Sequence, residues 1–168
     1  DSAWPGNVLL ASKSGEIFIH NSNGFHTYSK KQEMSPSDIF DLASLSKVIS
    51  TTAAIMILID QKEIKLNTKV YEIFPDILRP DDEFVNEKKA ITIKHLLTHT
   101  SGFPPFKKYY LMDDLEKNEI INDICGTKLL NKPGDETIYS DLGMILLGKI
   151  VEYITGTSLD IFVSDYIF

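Results

Sequence analysis

Several features that mark special classes of protein are missing or scarce in this sequence. One cysteine among 168 residues excludes an internal disulfide framework and a zinc site made of cysteines alone. Glycine and proline, at 9 and 7 residues, are too few for a fibrous or low-complexity chain. The longest apolar run covers residues 53–59, far short of the roughly 20 residues that a membrane-spanning helix needs.

Positive charge is also scarce. The 17 basic residues face 24 acidic ones, for a net charge of −7, and no basic cluster exceeds a Lys-Lys pair, which argues against nucleic acid as a partner. A Gly-rich phosphate loop, a G-x-S-x-G turn and an H-E-x-x-H pair are absent. The remaining composition, 43% hydrophobic and 24% charged, is typical of a globular protein with one sizeable core.

Predicted strands precede predicted helices, which indicates an α+β fold and not alternating βαβ units. Residues 8–12 and 16–20 flank a short turn with glycine at position 15, the pattern of a β-hairpin. Residues 25–28 can add a third short strand. The strand region therefore covers residues 1–30.

A helix of unusual apolarity is predicted over residues 44–62. Its apolar side chains recur at helical spacing, and Ala53 and Ala54 fill the opposite side. A helix that is apolar nearly all round is expected to be buried at the centre of the fold. A mainly helical region follows over residues 63–168, with helices predicted at 70–74, 92–98, 113–125 and 140–155.

Ser44 and Lys47 form an S-x-x-K pattern at the start of the apolar helix. Residues at this spacing lie on one helix face, so the Lys47 amine can reach the Ser44 hydroxyl. A serine hydroxyl needs a neighbouring base to become a nucleophile, and burial favours the neutral, basic form of a lysine. Lys47 is the only charge between Asp41 and Asp60. That isolation favours a specific use over the alternative, a capping serine followed by a solvent-facing lysine.

Tyr139, Ser140 and Asp141 form a second candidate group, at the start of the helix predicted over residues 140–155. In one interpretation, Ser140 or Asp141 caps the helix, and this capping does not depend on any role of Tyr139. In the other, the Tyr139 hydroxyl relays protons beside a lysine and Asp141 contacts the substrate. Spacing alone favours the capping role.

His95 and His99 are four residues apart and could share a helix face, as metal ligands do. Leu96 and Leu97 lie between them, and no acidic third ligand stands nearby in the sequence. A structural role is therefore favoured over metal binding. No metal and no organic cofactor is expected.

Three segments carry a resemblance to a known family. They are residues 40–47 (Phe-Asp-Leu-Ala-Ser-Leu-Ser-Lys), 95–102 (His-Leu-Leu-Thr-His-Thr-Ser-Gly) and 139–143 (Tyr-Ser-Asp-Leu-Gly). In this order they resemble the serine β-lactamase-related family, which includes class C β-lactamases, D-alanyl-D-alanine peptidases and family VIII esterases. The resemblance covers most of the chain and implies a β-lactamase/penicillin-binding-protein-like fold, an antiparallel sheet flanked by helices.

The resemblance also implies roles for individual residues. Ser44 would be the acylated nucleophile, Lys47 the base or part of it, and Tyr139 a proton shuttle to the leaving group. The Ser44 backbone N–H would be one oxyanion donor, and Asp141 would contact the substrate. The segment 95–102 would be a structural signature beneath the active site.

Two departures from the family pattern shape these expectations. The family's Lys-Thr-Gly or His-x-Gly motif is expected beyond Phe168, so residues 1–168 are expected to be the N-terminal portion of a single domain, inactive without the missing C-terminal half. Asp141 stands where β-lactamases typically have asparagine. Its carboxylate raises the pKa of Lys47 and repels substrates that carry a carboxylate, which favours esterase-like or amidase-like activity over efficient hydrolysis of β-lactams.

The leading hypothesis is a serine hydrolase acting on a small acyl substrate or a peptidoglycan-like peptide. The alternative is a non-catalytic penicillin-recognising or peptidoglycan-binding module, and a third interpretation is a structural domain that has lost the chemistry. The family and the absence of a signal peptide suggest the bacterial periplasm, or secretion to the cell envelope. An unpaired edge of a shortened sheet is expected to promote self-association.

Overall fold

The computed structural model describes residues 3–80, 82–112 and 115–168. The chain forms two compact units, Asp1–Ala43 and Ser44–Phe168. The first is built on strands and the second on helices. The expectation that both belong to one portion of a single domain stays a prediction.

The first unit is built on a β-hairpin of strands β1 (Gly6–Lys13) and β2 (Glu16–Gly24), which pair antiparallel along their length. Ser14 and Gly15 close the turn with φ of 52° and 84°. A left-handed conformation at both central positions matches the twist of the flanking strands. The predicted hairpin is confirmed, with longer strands than the sequence pattern indicated.

The third strand predicted over residues 25–28 is wrong. Phe25 makes an isolated bridge to Glu33, and no named strand follows β2 in the described residues. His26 instead contacts the Asp38 carboxylate, with Nε2 and Oδ2 2.8 Å apart. The segment is a loop because the His26 backbone N–H donates to the Gln32 carbonyl at 2.9 Å, within the polar stretch that follows, and not to a neighbouring strand.

The second unit is helical and begins with helix α1, which is π-helical over Lys47–Thr52 and α-helical over Ala53–Asp60. The other α-helices are α2 (Val70–Ile73), α3 (Val85–Ala90), α4 (Ile93–Leu97), α5 (Lys117–Cys125), α6 (Asp141–Thr155) and α7 (Leu159–Tyr166). Strands first and helices after them confirm the predicted α+β order.

Helices α3 and α7 were not predicted from the sequence. Helix α3 has no apolar stripe, because most of its residues are polar, yet Lys88 within it is fully buried. The helix predicted over residues 113–125 is present as α5 from Lys117 onward, while Asp113 and Asp114 lie outside the described residues.

Helix α1 is buried on one face, whereas its apolarity predicted burial on nearly all sides. Ala54, Ile55 and Leu58 are buried, and the helix packs against α6 and α7. Val48 and Met56 are 60% and 63% exposed. The prediction of a fully buried helix is therefore wrong for this chain, because the described residues leave one side of α1 uncovered.

Helix α6 is the centre of the helical core, where it packs against α1, α4 and α5 and buries Leu146 and Leu147 completely. Ser140 caps its first turn, because Ser140 Oγ accepts a hydrogen bond from the Gly143 N–H at 3.3 Å. Gly156 ends the helix with a left-handed φ of 68°. The boundaries predicted for this helix are confirmed.

No single helix in the described part of the chain is long and apolar enough to cross a membrane. Helices α6 and α7 satisfy the length and composition criteria only when taken together, and the pair is bent by 75°.

Candidate active site

Ser44 and Lys47 come together where helix α1 begins. Lys47 Nζ donates a hydrogen bond to Ser44 Oγ at 3.0 Å, and the Lys47 backbone N–H donates to the Ser44 carbonyl at 3.1 Å. The turn follows Ala43, whose φ of 45° is uncommon for a residue with a side chain. The π-helical winding that follows is rare and occurs often at functional sites. The contact between the Lys47 amine and the Ser44 hydroxyl is the one predicted from their spacing of three residues.

The segment 139–141 is fixed by hydrogen bonds to a proline-containing loop. The Asp141 N–H donates to the Pro105 carbonyl at 2.7 Å, and Ser140 Oγ donates to the Pro104 carbonyl at 2.7 Å. Consecutive prolines cannot continue a helix, so the carbonyls of this loop are free to accept hydrogen bonds from elsewhere. The loop thereby sets where helix α6 starts.

The two segments meet at the Lys47 ammonium. Lys47 Nζ lies 3.0 Å from Asp141 Oδ1 and 5.4 Å from the centre of the Tyr139 ring. With Ser44 at 3.0 Å, all four residues selected from the sequence lie in one site. Their catalytic and binding roles stay predictions.

The charge state of Lys47 differs from the one that a buried apolar helix predicted. Burial lowers the pKa of Lys47, but the Asp141 carboxylate and the Tyr139 hydroxyl outweigh burial and raise that pKa above its ordinary value. Burial lowers this pKa less than full burial would, because the Lys47 side chain is still 23% exposed. The raised pKa disfavours the neutral amine that burial alone would favour, and the opposing effect expected of Asp141 is confirmed.

The site is open to solvent on one side. Tyr139 is 51% exposed, and the side chain of Asp141 is 43% exposed. A cavity of about 540 Å³ begins at Lys47 and Asp141 and has an apolar lining that includes Ile121 and Met144. Its size is that of a pocket for a small organic molecule. Ser44 stands beside this cavity and is not among its lining residues.

His95 and His99 each make a separate structural contact. The His95 ring Nδ1 accepts a hydrogen bond from the Thr92 backbone N–H at 3.4 Å, and the His95 backbone N–H donates to Thr92 Oγ1 at 3.2 Å in the first turn of helix α4. The His99 ring Nδ1 accepts from the Ser140 N–H at 3.1 Å. Burial lowers the pKa of both imidazoles. No group of three His, Cys, Asp or Glu side chains within the described ranges could hold a metal ion. These contacts favour the structural interpretation of the two histidines.

The whole chain matches one protein-family model. The model described as Beta-lactamase covers residues 1–168. The chain belongs to the beta-lactamase family. The resemblance identified from three sequence segments is confirmed.

Individual proteins are similar to this chain over almost its whole length. Protein flp of Staphylococcus aureus (strain MW2) is 32% identical over 168 aligned residues, which cover 96% of this chain and 32% of flp. N-acetylmuramyl-L-alanine amidase of Bacillus subtilis (strain 168) is 29% identical over 183 aligned residues, covering 99% of this chain and 41% of the amidase. The solved structure of EstCE1, a hydrolase with promiscuous acyltransferase activity, superposes with a TM-score of 0.78 at 25% identity, covering 97% of this chain and 45% of EstCE1.

These relatives confirm the β-lactamase/penicillin-binding-protein-like fold class, of which the described residues form a part. Homology to an amidase and to a hydrolase supports membership of a serine hydrolase superfamily. The chain spans less than half the length of each of these three relatives.

The residues that hold the Tyr139 segment in place were not predicted from the sequence. The sequence predicts a structural role for His99 over metal binding, and it predicts no role for the carbonyls of Pro104 and Pro105. The available indication was the likeness of segment 95–102 to a structural signature of the family. That likeness does not say which backbone groups the segment would bind.

Proposed function

We propose that this chain carries the nucleophile and its activating groups in a serine hydrolase that acts by acyl transfer. The observation that carries the proposal is the position of Lys47 Nζ, 3.0 Å from Ser44 Oγ and 3.0 Å from Asp141 Oδ1. In this arrangement Ser44 is the nucleophile, Lys47 its activating base, Tyr139 the proton shuttle and Asp141 a substrate contact.

The proposed reaction uses only side chains of this protein, the acyl substrate and water, with no cofactor. The neutral Lys47 amine takes the Ser44 proton while Ser44 Oγ bonds to the acyl carbon, giving a tetrahedral oxyanion. The Ser44 backbone N–H is a donor for that oxyanion. The carbon–leaving-group bond then breaks, and Tyr139 passes the proton from Lys47 to the leaving group. Water then hydrolyses the acyl-Ser44 ester, which releases the acyl group as a carboxylic acid and regenerates the Ser44 hydroxyl.

The raised pKa of Lys47 gives this mechanism a defined pH dependence. A lysine amine whose pKa lies above its already alkaline ordinary value stays protonated at neutral pH, and a protonated amine cannot accept the Ser44 proton. Acylation of Ser44 is therefore expected to accelerate as pH rises toward the pKa of Lys47. A substrate that draws the Asp141 carboxylate away from Lys47 would lower that pKa on binding.

Asp141 bears on the substrate class. Its carboxylate is partly exposed beside the cavity, so it repels a substrate carboxylate placed there and accepts hydrogen bonds from neutral or cationic groups. We propose esters or amides without a carboxylate at that position, with a peptidoglycan-like peptide as a second class. The name of the Bacillus amidase supports the second class and a location at the bacterial cell envelope.

A fluorophosphonate probe tests the nucleophile in the full-length natural protein. We expect a single adduct on Ser44, located by peptide mass spectrometry, and none in Ser44→Ala. Ser46→Ala is the matched control, because Ser46 lies two residues away in the same turn, and it is expected to react within about twofold of wild type. An adduct elsewhere, or an unchanged adduct in Ser44→Ala, would contradict the assignment.

Turnover of a chromogenic acetyl ester separates a hydrolase from a binding module. Steady release of product supports the hydrolase, whereas a lasting acetyl adduct on Ser44 without turnover supports the non-catalytic alternative. Because these residues cover 32% of flp and 41% of the amidase, we propose that the 168 residues alone turn over far more slowly than the full-length protein. Equal rates would contradict that proposal.

We also propose that the 168-residue chain self-associates through its hairpin with a second copy. Strands β1 and β2 pair with each other and with no third strand in the described residues. Leu9 and Phe18 are exposed on them. A lone two-stranded sheet is only marginally stable in water, so pairing of its edges is favoured. Light scattering over a concentration series is expected to show association, and a monomer at every concentration would contradict it.

A further inference from the structure

His99 is bound to both neighbours of Tyr139, although the proposed reaction assigns it no role. Its backbone carbonyl accepts a hydrogen bond from the Ile138 N–H at 2.8 Å, and its ring Nδ1 accepts one from the Ser140 N–H at 3.1 Å. His99 makes both contacts in a left-handed conformation, with a φ of 57°, and His, Asn and Asp are enriched in this conformation. The backbone on either side of Tyr139 is therefore attached to His99.

The His99 ring also contacts the reacting side chain itself. Its centre lies 4.5 Å from that of the Tyr139 ring, at an interplanar angle of 41°. Ser140 is 1% exposed and caps helix α6, so its N–H has no acceptor within the helix. Without His99 Nδ1, a buried amide would lose its partner. The segment would be expected to move until that amide found another acceptor.

The contact between Ser140 and His99 depends on the charge of the imidazole. Nδ1 accepts a hydrogen bond only while it is unprotonated. Within the described residues, the charged groups that act on the ring are the Lys47 ammonium of helix α1 and the Asp141 carboxylate of helix α6, and Tyr139 is the titratable group in contact with it. Burial and then the charge of Lys47 lower the pKa of His99, and Asp141 acts in the opposite sense. The ring is thus neutral at neutral pH and gains a proton only in acid.

We propose that His99 is a positioning residue that holds Tyr139 beside Lys47 while its imidazole is neutral, and that its protonation releases the Tyr139 segment and slows acylation in acid. The acylation part of this inference rests on the proposed function. The positioning part rests on the hydrogen bonds of His99 alone.

Two substitutions separate the hydrogen bond from the ring. His99→Asn puts an amide oxygen near the position of Nδ1, tolerates the left-handed φ and does not titrate. His99→Phe keeps an aromatic ring against Tyr139 but has no acceptor. The readouts are the rate of fluorophosphonate labelling at Ser44 and the amide shift of Ser140 by NMR, both followed from about pH 5 to about pH 8, in the full-length natural protein.

Protonation of Lys47 makes the labelling rate fall with decreasing pH in every variant. The wild-type rate is expected to fall more steeply than this below about 6.5, the ordinary pKa of histidine, and the Ser140 amide shift is expected to titrate over the same range. His99→Asn is expected to stay within about twofold of wild type at neutral pH, to keep the dependence on Lys47, and to lose the additional fall in acid and the titration. His99→Phe is expected to be slower by about tenfold at every pH, because a buried amide loses its acceptor.

An additional fall in acid, beyond the one that Lys47 causes, that persists unchanged in His99→Asn would overturn the inference, as would a wild-type Ser140 amide that does not respond to pH. If wild type is never labelled at Ser44, the proposed function fails, while the Ser140 titration still decides the role of His99. A thermal melt checks that His99→Phe is folded. If it is not, His99→Asn and the amide titration carry the test.

Discussion

Among the lysine–aspartate pairs of the helical unit, two lie in contrasting surroundings. Lys88 is fully buried, pairs with Asp82 and donates to the Cys125 carbonyl at 2.6 Å. Lys47 pairs with Asp141 at 3.0 Å and keeps 23% side-chain exposure. Besides its aspartate, each lysine has one further hydrogen-bond acceptor. For Lys88 it is a backbone carbonyl, whereas for Lys47 it is the hydroxyl of a serine.

The comparison shows that an ion pair does not by itself mark an active site. Lys88 neutralises Asp82 and binds the C-terminal end of helix α5, where a positive charge is favoured, so its contacts all serve packing. Lys47 has similar partners in an open cavity beside a group that can react. Access and a nucleophile separate the two lysines, and both depend on tertiary structure.

Lys47→Met is expected to produce the largest effect and tests the comparison directly. Removing the proposed base should slow labelling of Ser44 by about 10²–10⁴-fold. The free energy of unfolding should change by less than about 1 kcal/mol, because the pair with Asp141 is partly exposed. Labelling kinetics and urea denaturation measure the two quantities. A large loss of stability with normal labelling would reverse the assignment.

Lys88→Met is expected to have the opposite signature. It leaves the nearly buried Asp82 carboxylate and the Cys125 carbonyl without their partner, which should cost about 3 kcal/mol of unfolding free energy in urea denaturation. Labelling of Ser44 in the folded protein should stay within about twofold of wild type. Lys89→Met is the matched control, since Lys89 is exposed on the same helix, and it should cost less than about 0.5 kcal/mol.

Cys125 reports on the packing around Lys88. Burial raises the pKa of the Cys125 thiol to about 11, which lowers its thiolate fraction about 100-fold relative to an ordinary thiol. A thiol reagent at mildly alkaline pH should therefore react slowly with native protein and rapidly in denaturant. Lys88→Met should accelerate the native reaction and Lys89→Met should not. Rapid labelling of wild type would show that this region opens freely.

Asp141→Asn is expected to have the smallest effect, and it tests whether Asp141 raises the pKa of Lys47. Removing the carboxylate that raises the pKa of Lys47 should move the pH profile of Ser44 labelling to lower pH. The rate at neutral pH should rise by about threefold, the scale of a partly exposed ion pair. A profile that stays in place or moves to higher pH would show that Asp141 does not control the charge of Lys47.

The parts of the fold that were predicted correctly are those with strong local patterns. Helix α6 follows from its apolar spacing, its capping Ser140 and its terminal Gly156, all within one stretch of sequence. Helix α3 was missed because its buried position is filled by Lys88, whose partners come from other segments. Burial on only one face of α1 was missed for a related reason, since apolarity does not reveal which neighbours are present to cover it.

The candidate site divides in the same way. The pairing of Ser44 with Lys47 follows from a spacing of three residues, whereas spacing alone favoured a capping role for the segment 139–141. The family resemblance placed that segment in the site. The hydrogen bonds by which His99 and the carbonyls of Pro104 and Pro105 hold the segment 139–141 in the site could not be predicted, because such contacts leave no periodic pattern in the sequence.

By itself, the sequence determined the hairpin, the run of helices and the reach of an amine to a hydroxyl, because turn chemistry and helical spacing act between near neighbours in the chain. Only the tertiary structure decided the direction in which the pKa of that amine moves. Asp141 and Tyr139 lie far from Lys47 along the chain, and it is folding that brings a carboxylate close enough to outweigh the effect of burial on the lysine pKa.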